Sequence, residues 1–107
     1  MDSFAGFGAS IDLFGDGSVR LLATPGHTLG HQSVLLRLRG REALLTGDAA
    51  YLKRTIEQSL TPLLPHDEHK FFRSLKEIQR YVERTPTALV IPGHDRDVWP
   101  TLDPVYE

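Results

Sequence analysis

The sequence contains no cysteine among its 107 residues. Disulfide bonds and zinc sites built from thiolates are therefore excluded, although this absence says nothing about the redox compartment. No apolar run approaches the roughly 20 residues that a membrane-spanning helix needs. The N-terminus also lacks the basic segment followed by an apolar one that marks a secretory signal. We therefore expect a soluble cytoplasmic protein without a membrane partner.

An excess of charge of one sign is also missing. The 12 basic and 14 acidic residues give a formal net charge of −2 at pH 7 with neutral histidines. Nucleic acids and anionic surfaces are bound by basic patches, and this balance predicts none, so no nucleic-acid partner is expected. The length allows one domain at most. A hydrophobic content of 40% allows a modest core.

Short apolar runs separated by glycine-containing turns predict a series of strands. The first ten residues are glycine-rich and weakly patterned, so residues 1–10 are expected to be a flexible arm. Two pairs of strands are joined closely enough to form hairpins. The predicted strands are 11–14, 19–23, 33–38, 42–46 and 87–91, and a short helix is expected within 49–60.

One long amphipathic helix is predicted before the last strand. Apolar residues recur every three or four positions after Asp67, which is a good helix N-cap. Thr85-Pro86 ends the helix, because the residue before a proline is pushed out of helical angles. Such a helix needs a sheet face to cover, which predicts an α/β layered unit. The apolar residues are Phe71, Phe72, Leu75, Ile78 and Val82.

Three turns each follow an apolar strand and carry a candidate metal ligand after a glycine. If the strands share one sheet, His27, Asp48 and His94 collect along one edge. Imidazole nitrogen and carboxylate oxygen suit zinc, manganese or iron, and a carboxylate can bridge two ions. Each motif alone is explained as a simple turn, whereas the three together indicate a metal site. The motifs are Thr24-Pro25-Gly26-His27-Thr28-Leu29-Gly30-His31, Thr46-Gly47-Asp48-Ala49 and Ile91-Pro92-Gly93-His94-Asp95.

On these motifs the chain resembles the C-terminal half of a metallo-β-lactamase-fold hydrolase, nearest to the N-acyl-homoserine lactonase-like branch. The resemblance extends over residues 11–97. It implies that residues 11–107 form half of an αββα sandwich, with mostly antiparallel strands and one long helix before the last strand. It also implies hydrolysis of a lactone or related ester-like bond of a small-molecule substrate by a metal-bound hydroxide. The implied cofactor is a pair of Zn²⁺ ions, with manganese or iron as alternatives.

The resemblance implies a role for each matched residue. His27 would bind the first metal ion, Asp48 would bridge the two ions and take part in catalysis, and His94 would bind the second. His31 would orient the loop through hydrogen bonds. Tyr51 would act in catalysis by donating a hydrogen bond to the oxygen that gains charge when a lactone carbonyl is attacked. The alternative for Tyr51 is a half-buried aromatic residue on a short helix.

The family's His-x-His-x-Asp-His motif is absent from these residues, and none of the five histidines forms it. Each metal ion would then keep two protein ligands, whereas catalytic zinc usually has three and an open position. We therefore predict weak metal binding and little hydrolysis by the chain alone. Two hypotheses stand: a missing N-terminal half completes the enzyme, or the chain is a non-catalytic half-domain that dimerises as an interaction or structural module. A phosphodiesterase or thioester hydrolase of the same fold differs only in substrate.

Overall fold

The computed structural model describes residues 2–4, 6–58 and 67–103. In this part of the chain, six strands form one sheet and lie in the order of the sequence. Two helices connect the fifth strand to the sixth, and a short 3-10 helix follows the sixth strand. The elements are β1 (Asp2–Phe4), β2 (Phe7–Asp12), β3 (Val19–Ala23), β4 (Gln32–Arg37), β5 (Glu42–Gly47), α1 (Lys53–Gln58), α2 (Glu68–Arg84), β6 (Leu89–Pro92) and the 3-10 helix Trp99–Thr101.

The directions of the strands bring three loops to one end of the sheet. Strands β1 to β5 pair antiparallel with their neighbours, and β6 pairs parallel to β5. A parallel pair needs a crossover connection, which the two helices provide. Because β3 and β5 both run antiparallel to β4, the C-terminal ends of β3, β5 and β6 all lie at the same end of the sheet. The three predicted motifs follow those strand ends.

One face of the sheet packs against α2 and forms the core. Apolar side chains from the sheet and from the buried stripe of α2 form most of a single cluster. Removing their surface from water stabilises the fold. The ring centroids of Phe7 and Tyr81 lie 6.2 Å apart within it. The buried cluster comprises Phe7, Leu22, Leu35, Leu44, Ala49, Ala50, Ile56, Phe71, Leu75, Ile78 and Tyr81.

The long helix begins and ends where the sequence predicts. Asp67 is the N-cap of α2, and its Oδ1 accepts a hydrogen bond from the Lys70 backbone N–H at 3.0 Å. One prediction for this helix is wrong, because Phe72 is 37% exposed whereas its neighbour Phe71 is buried. Successive helical residues point about 100° apart, so both cannot face the sheet. No helix among the described residues is long and apolar enough to cross a membrane.

The flexible arm expected over residues 1–10 is instead a pair of strands in the described residues. Strand β1 pairs with β2, and β2 pairs with β3 through Ser10 and Leu22. Phe7 is only 1% exposed, because β2 carries it into the core. The glycines on either side of Phe7 weaken the alternating pattern that would have predicted this strand. Met1 and Ala5 lie outside the described residues.

The sheet face opposite α2 carries a row of aliphatic side chains, one from each of five strands. Their Cα atoms are paired in register from one strand to the next. Alternation along β3 to β6 sends their members of the row away from the core cluster. Ile11 joins the same face through its pairing with Leu21, beyond a register shift in β2. All of them remain partly exposed, and the outermost is 39% exposed. The row, called the aliphatic row below, is Ile11, Leu21, Val34, Leu45 and Ile91.

Candidate metal centre

The three predicted ligands meet at the end of the sheet where β3, β5 and β6 finish. His27 Nε2 lies 3.1 Å from Asp48 Oδ2, and His94 Nε2 lies 2.7 Å from Asp48 Oδ1. The two histidines therefore contact different oxygens of one carboxylate. This arrangement has the connectivity of a bridging carboxylate flanked by one imidazole on each side.

The donor set contains fewer ligands than a catalytic metal site needs. Imidazole nitrogen and carboxylate oxygen are both zinc ligands. Each of the two histidines has Asp48 beside it as a second metal-ligating side chain, whereas catalytic zinc takes three protein ligands. Among the described residues, no group of three or more His, Cys, Asp or Glu side chains is arranged to hold a metal ion. His69 is exposed in the first turn of α2, and His66 lies outside the described residues. The ligand roles of His27, Asp48 and His94 therefore stay predictions.

Tyr51 lies between the two histidines. Its hydroxyl oxygen is 3.2 Å from His27 Nδ1, and its ring centroid is 4.8 Å from that of His94. The residue is half-buried but precedes α1, which begins at Lys53. Burial raises the pKa of Tyr51, and the nearby Asp48 carboxylate raises it further. The phenol therefore remains protonated at neutral pH and is able to donate a hydrogen bond.

His31 holds the Asp48 loop by a direct hydrogen bond, and a chain of buried hydroxyl groups contacts the other side of its ring. Its Nε2 accepts a hydrogen bond from the Asp48 backbone N–H at 3.0 Å, so the ring proton is on Nδ1. Nδ1 lies 3.1 Å from the carbonyl oxygen and 2.9 Å from Oγ1 of Thr24. Thr24 Oγ1 contacts Ser33 Oγ at 2.9 Å, and Ser33 Oγ donates to the Thr46 carbonyl oxygen at 3.2 Å. Burial lowers the pKa of His31 and favours this neutral form.

Two glycines permit the close backbone contacts that shape the site. Gly26 has a φ of 142°, and a Cβ at this position would lie 2.2 Å from Phe71 Cα. A Cβ on Gly93 would lie 2.5 Å from the Gly47 carbonyl oxygen. Contacts this short are forbidden to any side chain. Glycine therefore seats the His27 loop on α2 and brings the end of β6 against the end of β5.

Helix α2 anchors the His27 loop by two hydrogen bonds that sequence reasoning missed. The Asp67 backbone N–H donates to the Gly26 carbonyl oxygen at 2.9 Å, and Ser74 Oγ donates to the Pro25 carbonyl oxygen at 2.7 Å. Ser74 is buried on the side of the helix that faces the sheet. A serine three residues after Phe71, on an otherwise apolar helix face, is the signal that would have indicated a polar partner.

Asp95 also makes contacts beside the site, and sequence reasoning assigned it no role. It is 5% exposed, and its carboxylate accepts hydrogen bonds from the backbone N–H groups of Lys53, Asp97 and Val98 at 2.7, 2.9 and 3.3 Å. The bond from the Lys53 amide is the main cause that holds the pKa of Asp95 below its usual range, with the other two amides adding to it. Its position directly after His94 in the third motif was the available signal.

The chain matches a known protein family and several of its members. A family model described as the metallo-beta-lactamase superfamily matches residues 9–94. The chain is 39% identical over 89 residues to the N-acyl homoserine lactonase AttM of Rhizobium radiobacter, which covers 82% of this chain and 34% of the relative. It is 42% identical over 93 residues to AttM of Azorhizobium caulinodans, covering 85% of this chain and 35% of the relative. The chain thus spans about a third of the length of these relatives.

A solved structure has the same fold over most of this chain. It is an N-acyl homoserine lactone hydrolase with the product N-hexanoyl-L-homoserine bound at the catalytic metal center. The TM-score is 0.78 and the sequence identity is 29%, over 92% of this chain and 39% of the other. The six-stranded sheet and its helices therefore correspond to part of a larger protein of this kind.

Proposed function

Since this chain belongs to the metallo-β-lactamase superfamily and is related to N-acyl homoserine lactonases, we propose that it supplies half of the dinuclear metal centre of a lactone hydrolase. The observation that carries the proposal is the position of Asp48, whose two oxygens face His27 and His94 separately. A carboxylate that only closed a turn would not need an imidazole at each oxygen. The substrate class is a lactone or a related ester-like bond of a small molecule.

His27 with Asp48 would hold one metal ion, and His94 with Asp48 the other. Zinc fits this donor set, as do manganese and iron. When bound, such a pair supplies Lewis acidity and lowers the pKa of a coordinated water. The protein's part is to keep the carboxylate between the two imidazoles, which the bond from the Asp48 amide to His31 does at 3.0 Å.

Tyr51 would contribute a hydrogen-bond donor to the reaction. Tyrosine is protonated at neutral pH, and burial raises the pKa of Tyr51 further in the same direction. A neutral phenol aimed at the carbonyl oxygen of a lactone stabilises the negative charge that develops there when the carbonyl is attacked. The hydroxyl, 3.2 Å from His27 Nδ1, lies on the same side of the site as that imidazole.

The chain alone is proposed to bind metal weakly and to hydrolyse little substrate. Two protein ligands per ion are one fewer than catalytic zinc usually has. The remaining ligands would come from polypeptide that contains the His-x-His-x-Asp-His motif, which these 107 residues lack. An N-terminal half of the same kind of enzyme is the partner that meets this need.

The aliphatic row favours a second candidate function. Its five partly exposed side chains make an apolar sheet face. Such a face marks an interaction surface. A non-catalytic half-domain that pairs sheet with sheet as a homodimer would use this face, and the site residues would then have no chemical role.

Metal analysis separates the two candidates. The chain would be measured alone and joined to the N-terminal half of a lactonase relative, each with Asp48 intact and as Asp48→Asn. We expect the joined protein to bind metal and open an acyl homoserine lactone, and Asp48→Asn to lose both properties. The matched control is Asp12→Asn, which changes the carboxylate at the end of β2 that accepts hydrogen bonds from the turn before β3. Metal content that does not depend on Asp48 would refute the proposal.

A further inference from the structure

The loop after β5 and the loop after β6 run side by side and carry Tyr51 and His94. The His94 backbone N–H donates to the Tyr51 carbonyl oxygen at 2.8 Å, and the Gly93 backbone N–H donates to the Ala50 carbonyl oxygen at 3.0 Å. These bonds join the two loops just beyond Gly47 and Pro92, the last paired residues of β5 and β6. Their donors all come from the loop after β6, so the pairing is one-sided.

The Asp95 side chain adds the next connection between the same loops, in the opposite direction. Its Oδ2 accepts a hydrogen bond from the Lys53 backbone N–H at 2.7 Å. Its Oδ1 accepts bonds from the backbone N–H groups of Asp97 and Val98 at 2.9 and 3.3 Å. One oxygen therefore fastens the carboxylate to its own loop, and the other reaches across to the first residue of α1, where the neighbouring loop ends. Both ends of the connection are fixed, so the carboxylate acts as a rigid spacer.

We propose that Asp95 is a positioning residue of the candidate metal centre, because its carboxylate sets the spacing between the loop with Tyr51 and the loop with His94. Asp95 has no contact with the reacting atoms in this assignment. It acts through the Tyr51 and His94 rings, whose centroids lie 4.8 Å apart. The contribution of Asp95 to catalysis rests on the proposed function, whereas the spacing of the two loops is a property of the fold.

The test is nuclear magnetic resonance of the full chain with Asp95→Ala. Without the carboxylate, the Lys53 amide loses its acceptor, and the two loops keep only the one-sided backbone bonds. We expect the nuclear Overhauser effect between the Tyr51 and His94 rings to be lost. We also expect the His94 amide to exchange with solvent at least about tenfold faster through local opening, while the core amide of Leu44 is unchanged.

The matched control is Asp12→Ala. Asp12 Oδ1 also accepts hydrogen bonds from backbone N–H groups, those of Gly15 and Gly17, at 3.1 and 3.0 Å. It closes a turn at the end of the sheet opposite the candidate site, and we expect the ring contact to survive its removal. An unchanged ring contact in Asp95→Ala, or exchange that rises equally at His94 and Leu44, would overturn the positioning role.

Asp95→Asn keeps the test decisive if the alanine variant does not fold. The asparagine side chain retains one acceptor oxygen and therefore one side of the connection. We expect a weaker ring contact between Tyr51 and His94 and an unchanged exchange rate for Leu44. A ring contact as strong as that of the natural chain, with the fold retained, would count against the proposal.

A Zn²⁺ titration of the same variants, each joined to the N-terminal half of a lactonase relative, distinguishes failure of this inference from failure of the proposed function. Loss of a residue that orients metal ligands typically weakens metal affinity by 10- to 100-fold, so we expect a decrease of at least about tenfold in Asp95→Ala and none in Asp12→Ala. If no variant binds Zn²⁺ while the ring contact still depends on Asp95, the proposed function fails and the positioning role stands. If Zn²⁺ binds equally in all and the ring contact is unchanged, the positioning role fails.

Discussion

At the scale of single residues, Gly26 decides where the His27 loop can lie. Its φ of 142° is open to few other residues, and it rests directly on the backbone of Phe71. The Asp67 amide and the Ser74 hydroxyl hold the loop there by hydrogen bonds to the carbonyl oxygens of Gly26 and Pro25. The position of His27 is thus determined by contacts with a helix that begins some forty residues later in the chain.

We predict that Gly26→Ala destabilises the fold by about 3 kcal/mol or more, because the added methyl group would lie 2.2 Å from Phe71 Cα and the backbone angle is strained. The free energy of unfolding from urea titrations measures this. Gly30→Ala is the control, since a Cβ there has no heavy atom within 4 Å, and a change of less than about 0.5 kcal/mol is expected. Equal effects of the two variants would contradict the close contact.

At the scale of elements, α2 both covers the sheet and is joined to it by a polar contact. Tyr81 is buried, and its hydroxyl donates a hydrogen bond to Glu42 Oε1 on β5 at 2.6 Å. Burial, followed by the hydrogen bond to Glu42, raises the pKa of Tyr81. This bond lies at the end of β5 opposite Asp48, whereas the bonds to Pro25 and Gly26 hold α2 to the loop after β3.

We predict that Tyr81→Phe destabilises the fold by about 1–2 kcal/mol, because it removes a hydrogen bond to a charged group without changing the packing volume. The folded-state pKa is raised, so the stabilisation is complete below the ordinary tyrosine pKa of about 10 and is lost as the pH rises above it. Urea unfolding at neutral and alkaline pH measures both effects. The difference between the natural chain and Tyr81→Phe should shrink at high pH, and a difference that does not depend on pH would contradict this assignment.

At the scale of the whole molecule, the described part of the sheet is apolar on both faces, and α2 covers one of them. The aliphatic row occupies the other face and stays partly exposed. Partly exposed apolar rows favour association, because removing them from water lowers the free energy. The matched part of the chain covers only about a third of its relatives, and we propose additional polypeptide or a second copy as the two kinds of cover for this face.

We predict that the chain associates as its concentration rises and that Leu45→Lys reduces this association, because the charge would lie within the aliphatic row, between Val34 and Ile91. Sedimentation velocity at several concentrations measures the change in mass. Phe72→Lys is the control, because Phe72 is 37% exposed on α2, on the other side of the sheet. A chain that stays monomeric and unfolds cooperatively, or an equal effect of both variants, would contradict a role for this face.

Much of the fold follows from local patterns in the sequence. The limits of α2 are predicted from the N-cap at Asp67 and the proline at position 86, and both act within one turn of the helix. The strand at Phe7 was not predicted, because its burial depends on Tyr81, more than seventy residues away. The resemblance to a metallo-β-lactamase fold and to lactonases is confirmed by the family match and by the solved structure.

The sequence by itself determined the types of candidate ligand and the turns that carry them, because glycine, proline and the adjoining apolar runs act on their near neighbours. Only the tertiary structure decided that His27 and His94 face different oxygens of Asp48. It also decided that Asp95 connects the two loops beside them. These contacts join segments that are tens of residues apart, and their distances follow from how the strands pair and how α2 packs, which no local pattern encodes.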